Sequence, residues 1–152
     1  MLLTRRAFAS LATAAAMSAC GKPSVVARAA TYSGNTSQMQ ALIRKYAQAY
    51  QMPETLIHRV IQRESGYNPR ARNGPYYGLM QILPGTAQTM GYDGPASGLL
   101  DAETNLIYAG KYLRGAWLVS HGNEGRAVMW YAKGYYYEAK RQGLLEETGL
   151  RA

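Results

Sequence analysis

The stretch PETLIHRVIQRESG, Pro53 to Gly66, decides how this chain folds. Proline suits the first position of a helix, where an N–H would have no partner, and glycine suits the exit. Between them Ile57, Val60 and Ile61 recur at three- and four-residue spacing, the period of an amphipathic helix. Glu64 continues that series, seven residues after Ile57, four after Val60 and three after Ile61. Its side chain is therefore predicted on the apolar face, near the C-terminal end of the helix. Burial disfavours a charged carboxylate, and so does the negative end of the helix dipole, so both raise its pKa. A carboxyl kept protonated near neutral pH is what a general acid needs. The plainer alternative is an ion pair at the helix end with Arg63, Arg70 or Arg72.

Outward from this helix the pattern stays helical. Met39, Leu42, Ile43, Tyr46 and Tyr50 mark a helix before it, with Ser37 as the predicted cap. After it, GYNPRARNGPYYG from Gly66 to Gly78 carries two prolines and three glycines, which predicts a loop or an irregular hairpin. A short helix is predicted from Pro84 to Met90, then a loop at GYDGPASG, then a longer helix capped by Asp101. Leu106, Ala109, Gly110, Leu113 and Trp117 line one side of that helix. Asn123 starts the next, carrying Val128, Met129 and Tyr131, and a last helix runs from Tyr135 to Gln142. No internal repeat and no alternating strand run interrupts the series, so the fold class is mainly α, in one domain from residue 37 to residue 152.

With 152 residues the chain has room for one core and no second independent domain. Its 13 tyrosines against one phenylalanine suggest a surface or cleft rich in rings that stack and also hydrogen-bond. The net charge of +8 points to an anionic partner without choosing among cell-wall polymer, nucleic acid and membrane surface. No nucleic-acid motif accompanies the charge. His58 and His121 have no ligand-spaced neighbours, so neither a metal nor another cofactor is expected, and His58 is expected to pair with Glu54 four residues earlier. Of the run Tyr135-Tyr136-Tyr137, one or two rings are expected to pack inward, because successive helical positions point in different directions.

Residues 1–20, MLLTRRAFASLATAAAMSAC, read as an export signal with Arg5 and Arg6 ahead of an apolar run too short to anchor the chain as a membrane span. The twin arginines resemble a twin-arginine signal, with the general secretory route as the alternative. Cys20, the only cysteine, permits no intramolecular disulfide. Met17-Ser18-Ala19-Cys20-Gly21 resembles a bacterial lipobox, although Met17 stands where leucine is usual. That resemblance implies acylation of Cys20 and a lipid-anchored periplasmic protein, with Gly21 favouring the outer membrane. Residues 21–36 then form a flexible tether.

Glu64-Ser65-Gly66-Tyr67-Asn68-Pro69, then Gly78-Leu79-Met80-Gln81-Ile82, Pro84 and Thr86-Ala87, form an ordered succession of short blocks. Asp101 through Asn105, with Tyr112-Leu113, adds a further one. Together they resemble the catalytic domain of soluble-type lytic transglycosylases, members of the lysozyme superfamily, from about Ala41 to Gly134. The resemblance implies a lysozyme-like single domain, with the irregular hairpin near its cleft, acting as a monomer on peptidoglycan glycan strands. It implies Glu64 as catalytic acid and base, and substrate contacts from Ser65, Asn73, Met80, Gln81 and Tyr131, the tyrosine hydroxyl also bonding Glu64. Three features depart from the family pattern. The loop after Glu64 is one residue shorter, with Asn73 where a serine is usual; the late Tyr-Asn-Ala-Gly block reads Tyr131-Ala132-Lys133-Gly134; and Ala102 replaces a proline.

A two-carboxylate glycosidase needs a second Asp or Glu about 5–9 Å away across the scissile bond. Between Glu64 and Met90 there is none. The family chemistry uses one residue twice: Glu64 protonates the glycosidic oxygen, the substrate's N-acetyl group stabilises the cation, and Glu64 then takes the proton of the muramic acid C6 hydroxyl, giving a 1,6-anhydromuramyl end. Two rivals remain. A goose-type lysozyme or chitinase would need Asp93 to activate water, and a non-catalytic wall-binding lipoprotein would keep the fold alone.

Overall fold

Among the described residues three helices start on a side-chain oxygen that accepts a backbone N–H three residues on, which satisfies one of the donors a helix leaves free at its first turn. Thr36 Oγ1 takes the Met39 N–H at 3.2 Å, Asp101 Oδ1 takes that of Thr104 at 2.9 Å, and Asn123 Oδ1 takes that of Arg126 at 2.9 Å. The first of these corrects the predicted cap by one residue: Ser37 is already helical, and its hydroxyl faces Gln38. The computed structural model describes residues 34–150. The segment expected to be an export leader, Cys20, and the expected tether up to residue 33 lie outside the described residues.

In chain order the elements are α1 (Ser37–Ala49), α2 (Glu54–Glu64), β1 (Arg72–Asn73), β2 (Tyr76–Tyr77), α3 (Pro84–Thr89), a 3-10 turn (Ala96–Leu100), α4 (Ala102–Val119), α5 (Glu124–Lys133) and α6 (Tyr136–Gln142). The described chain is thus mainly α with one small antiparallel hairpin, in agreement with the helical periodicity. Pro53 caps α2 from just outside, and its helix ends at Glu64, two residues short of Gly66. No described helix is long and apolar enough to cross a membrane.

Helix α4 is the axis of the core. Leu106, Ala109, Leu113 and Ala116 are fully buried along it, and α1, α3, α5 and α6 pack around them. Trp117, predicted on this face, sits at its margin, and Ala116 takes the inward place. Gly115 is small for a packing reason: a Cβ there would lie 2.2 Å from the Tyr135 hydroxyl, which crosses α4 to bond the Tyr112 carbonyl at 2.8 Å. Tyr135 is accordingly buried while Tyr136 and Tyr137 are exposed, so one ring of the three packs inward. Along α5 the inward residues are Ala127 and Tyr131, with Val128 and Met129 half-buried, because the buried stripe follows a four-residue step from Ala127.

The second layer of the core lies between α1 and α2. Met39 and Ile43 face Leu56, Ile57, Val60 and Ile61, all at most 1% exposed. Each fully buried Leu or Ile contributes about 1.5–3 kcal/mol relative to exposure, so this seam holds α2 firmly by the face that Glu64 extends.

Candidate active site

Immediately after Glu64 the chain leaves the helical path. The N–H groups of Ser65 and Gly66 both close on the Ile61 carbonyl, at 3.0 and 3.1 Å, and Gly66 and Tyr67 both take left-handed backbone angles, φ +57° and +66°. Tyr67 tolerates that conformation because its ring is buried and its hydroxyl meets His58 Nδ1 at 2.7 Å, back on α2. The far side of His58 approaches Glu54 at 3.5 Å, as the spacing predicted. Glu64 is therefore the last residue of a well-anchored helix, with its side chain 24% exposed.

The hairpin that follows pairs Arg72 with Tyr77 and Asn73 with Tyr76 across Gly74-Pro75. Gly74 takes φ +56° at the first central position, the place where a tight hairpin favours glycine. Arg72 stacks on the Tyr77 ring at 4.5 Å and donates to its hydroxyl at 2.9 Å. Tyr77 then bridges to Ile82, closing the turn Gly78-Leu79-Met80-Gln81 between them.

That turn is fastened by side chains from three separate helical regions. Ser65 Oγ, just past α2, donates to the Leu79 carbonyl at 2.7 Å. Asn105 of α4 accepts the Met80 N–H at 2.9 Å and donates to the carbonyls of Tyr77 and Leu99 at 2.8 and 2.9 Å. Tyr131 of α5 donates its hydroxyl to the Met80 carbonyl at 2.8 Å. Gly78 has no room to be anything else, since a Cβ would fall 2.2 Å from the Leu99 carbonyl and 2.3 Å from Asn105 Nδ2. Gln81 ends the turn in a left-handed conformation, φ +50°, held by its own side chain, whose Nε2 donates to the carbonyls of Gly78 (2.8 Å) and Ala71 (3.1 Å).

These constraints frame a cleft of about 310 Å³ lined by Arg63, Glu64, Asn73, Tyr76, Gln81, Tyr131 and Ala132. A second cavity of about 240 Å³ shares Tyr76, Gln81, Tyr131 and Ala132 with it and continues along Thr86, Tyr112, Lys133 and Gly134. Burial pushes the Glu64 carboxyl above the ordinary carboxylate range, against the opposing pull of the Arg63 guanidinium, whose Nε lies 3.6 Å away. The ion-pair alternative is thus present at Arg63, but that guanidinium is itself 55% exposed and the desolvation of Glu64 outweighs it. Full burial raises the Tyr131 hydroxyl well above its usual pKa, and the charge of nearby Glu64 adds to the rise.

The family described as Transglycosylase SLT domain matches residues 41–144. The chain belongs to that family. Two curated relatives, each named soluble lytic murein transglycosylase, from Escherichia coli strain K12 and Escherichia coli O157:H7, are 33% identical to it over 81 residues. The match covers 48% of this chain and 12% of theirs, so this chain spans about an eighth of the length of those relatives. No solved structure matches it significantly.

In this SLT domain four of the residues singled out from sequence, Glu64, Asn73, Gln81 and Tyr131, meet in one cleft. Two others do not. Ser65 was expected to contact substrate, but its hydroxyl is committed to the Leu79 carbonyl and, at 3.4 Å, to that of Ile61. Met80 was likewise expected there, but its side chain is fully buried in the hydrophobic core and lines neither cavity. Tyr131 was expected to offer its hydroxyl to Glu64, and the donated proton goes to Met80 instead. Sequence reasoning missed Asn105, which ties the turn to α4, and Tyr76, which stands in both cavities. Asn105 left a signal: it is a polar residue in helical register with buried Ala102 and Ala109, three before and four after, where an unpaired amide would be costly.

Proposed function

We propose that this SLT domain is a peptidoglycan lytic transglycosylase, cleaving the β-1,4 bond between N-acetylmuramic acid and N-acetylglucosamine and leaving a 1,6-anhydromuramyl end. The observation that carries this reading is a half-buried carboxyl of raised pKa in a cleft lined, among the described residues, by no second carboxylate. Protonated Glu64 donates to the glycosidic oxygen as the C1–O bond breaks, and the muramic acid N-acetyl oxygen stabilises the cation at C1. Ionised Glu64 then accepts the C6 hydroxyl proton while that oxygen closes on C1, which restores the acid without water. Gln81 Oε1, on an amide whose nitrogen is already held, and Asn73 supply polar contacts to the sugars, and Tyr76 supplies a ring to stack on them.

The hydrolase alternative needs a carboxylate to activate water, and Asp93 lines neither cavity, which favours the transglycosylase. In the same reading the protein is a monomer, exported by the leader and lipid-anchored at Cys20 in the periplasm, with the outer membrane as its site. Because Glu64 must begin each cycle protonated, the rate falls as pH rises through its raised pKa.

Mass spectrometry of the muropeptides that purified protein releases from peptidoglycan tests the reaction. Anhydro-ended products are expected, lowered about 10²–10⁴-fold by Glu64→Gln, the range for removing a positioned general acid. Reducing-end products would replace the transglycosylase with the hydrolase, and no release at any pH would leave a binding protein.

A further inference from the structure

Lys133 closes the last turn of α5 and lines the second cavity, next to Ala132 and Gly134. Among the described residues that cavity is lined by no acidic side chain, and in the adjoining one the only carboxyl is Glu64. Arg63, the other cation among the described residues lining the groove, is already beside Glu64 at 3.6 Å. Lys133 is exposed, and among the described residues no carboxylate lies within ion-pair distance of it. A lysine left without an acid partner beside a groove shaped for a ring-bearing polymer is a point charge awaiting an anion from the ligand.

We infer that Lys133 is a specificity-determining residue that reads a carboxylate borne by the glycan, so that this cleft prefers acid-bearing strands over a neutral strand of the same backbone. The inference rests on the proposed glycan reading of the cleft. Two carboxylates of a peptidoglycan strand share this chemistry: the lactyl group of muramic acid, free where the peptide has been removed, and the acids of the attached peptide. Both hang from alternate sugars, and a flexible ammonium meets either one without the fixed geometry a guanidinium requires.

The test measures binding by full-length protein carrying Glu64→Gln, so that no ligand is cleaved, with and without Lys133→Gln. Three ligands are compared: a neutral N-acetylglucosamine oligomer, peptide-free glycan strands, and strands with peptides attached. The affinity ratio of acid-bearing to neutral ligand is expected to drop about fivefold in Lys133→Gln, the size of a single partly exposed ion pair. Lys133→Arg should keep most of the ratio, and Lys140→Gln, an exposed lysine on α6, should leave it at the parent value. A drop already present with peptide-free strands assigns the lactyl carboxylate, and a drop confined to peptide-bearing strands assigns the peptide. A ratio unmoved by Lys133→Gln overturns the inference while leaving the glycan reading standing, whereas failure of the parent to bind any of the three sinks both.

Discussion

The two walls of the cleft are built by opposite means. The wall from Glu64 to Ile82 is mostly irregular backbone around the short hairpin, and its turn at Gly78–Gln81 is held by the Gln81 amide, by Ser65, and by Asn105 and Tyr131 reaching it from other helices. The wall from Tyr131 to Gly134 is the end of a regular helix, whose backbone is satisfied within itself until Gly134 N–H closes on the Trp130 carbonyl at 2.9 Å. A hydrogen bond from Tyr131 to Met80 joins them. The contrast teaches where each wall tolerates change: exposed Ala132 and Lys133 on the helical wall hold none of the hydrogen bonds that fasten the turn, while the irregular wall depends on Ser65 and Asn105, which line neither cavity, and on Tyr131, which lines both.

Gly78→Ala should break the irregular wall outright. It places a Cβ against the Leu99 carbonyl and Asn105 amide at a left-handed backbone angle, so a loss of roughly 3 kcal/mol or more is expected in denaturant unfolding. Asn105→Ala comes next. It leaves the buried Met80 N–H without a partner, about 2–3 kcal/mol, and because the turn loosens, activity should fall further than stability alone predicts. Denaturant stability and native-condition activity of the variant, each measured against the parent, separate those two losses.

Glu64→Gln sharpens the comparison by sign. The folded-state pKa of Glu64 lies above its unfolded value, so its stabilising protonation is fully present below the unfolded pKa and is lost as pH rises through the folded one. The inactive amide should therefore melt higher than the parent at neutral pH, with the gap closing in acid; a parent that melts higher at neutral pH would contradict a desolvated carboxyl. The smallest effect belongs to the helical wall. Ala132→Asn, at an exposed position lining both cavities, should shift stability by no more than about 0.5 kcal/mol while raising the rate on peptidoglycan, because it adds an amide to the cleft without disturbing its frame.

Local periodicity and capping chemistry are complete within a few residues, so the sequence alone determined the helical class, the Asp101 and Asn123 caps and the position of Glu64 on the buried face of α2. The cleft residues Asn73, Gln81 and Tyr131 were legible as members of blocks in the resemblance, but the partners of their polar groups were not. Those partners lie far off in the chain: Ser65 meets Leu79 across 14 residues, Met80 meets Asn105 across 25, and Tyr131 meets Met80 across 51. A polar side chain near a cleft has substrate and backbone as competing partners, and burial decides between them, since a backbone carbonyl shut away from water must take whatever donor reaches it. Tertiary packing alone therefore decided that Ser65 and Met80 belong to the frame, that Asn105 holds it, and that Glu64 is the one carboxyl among the described residues that line the groove.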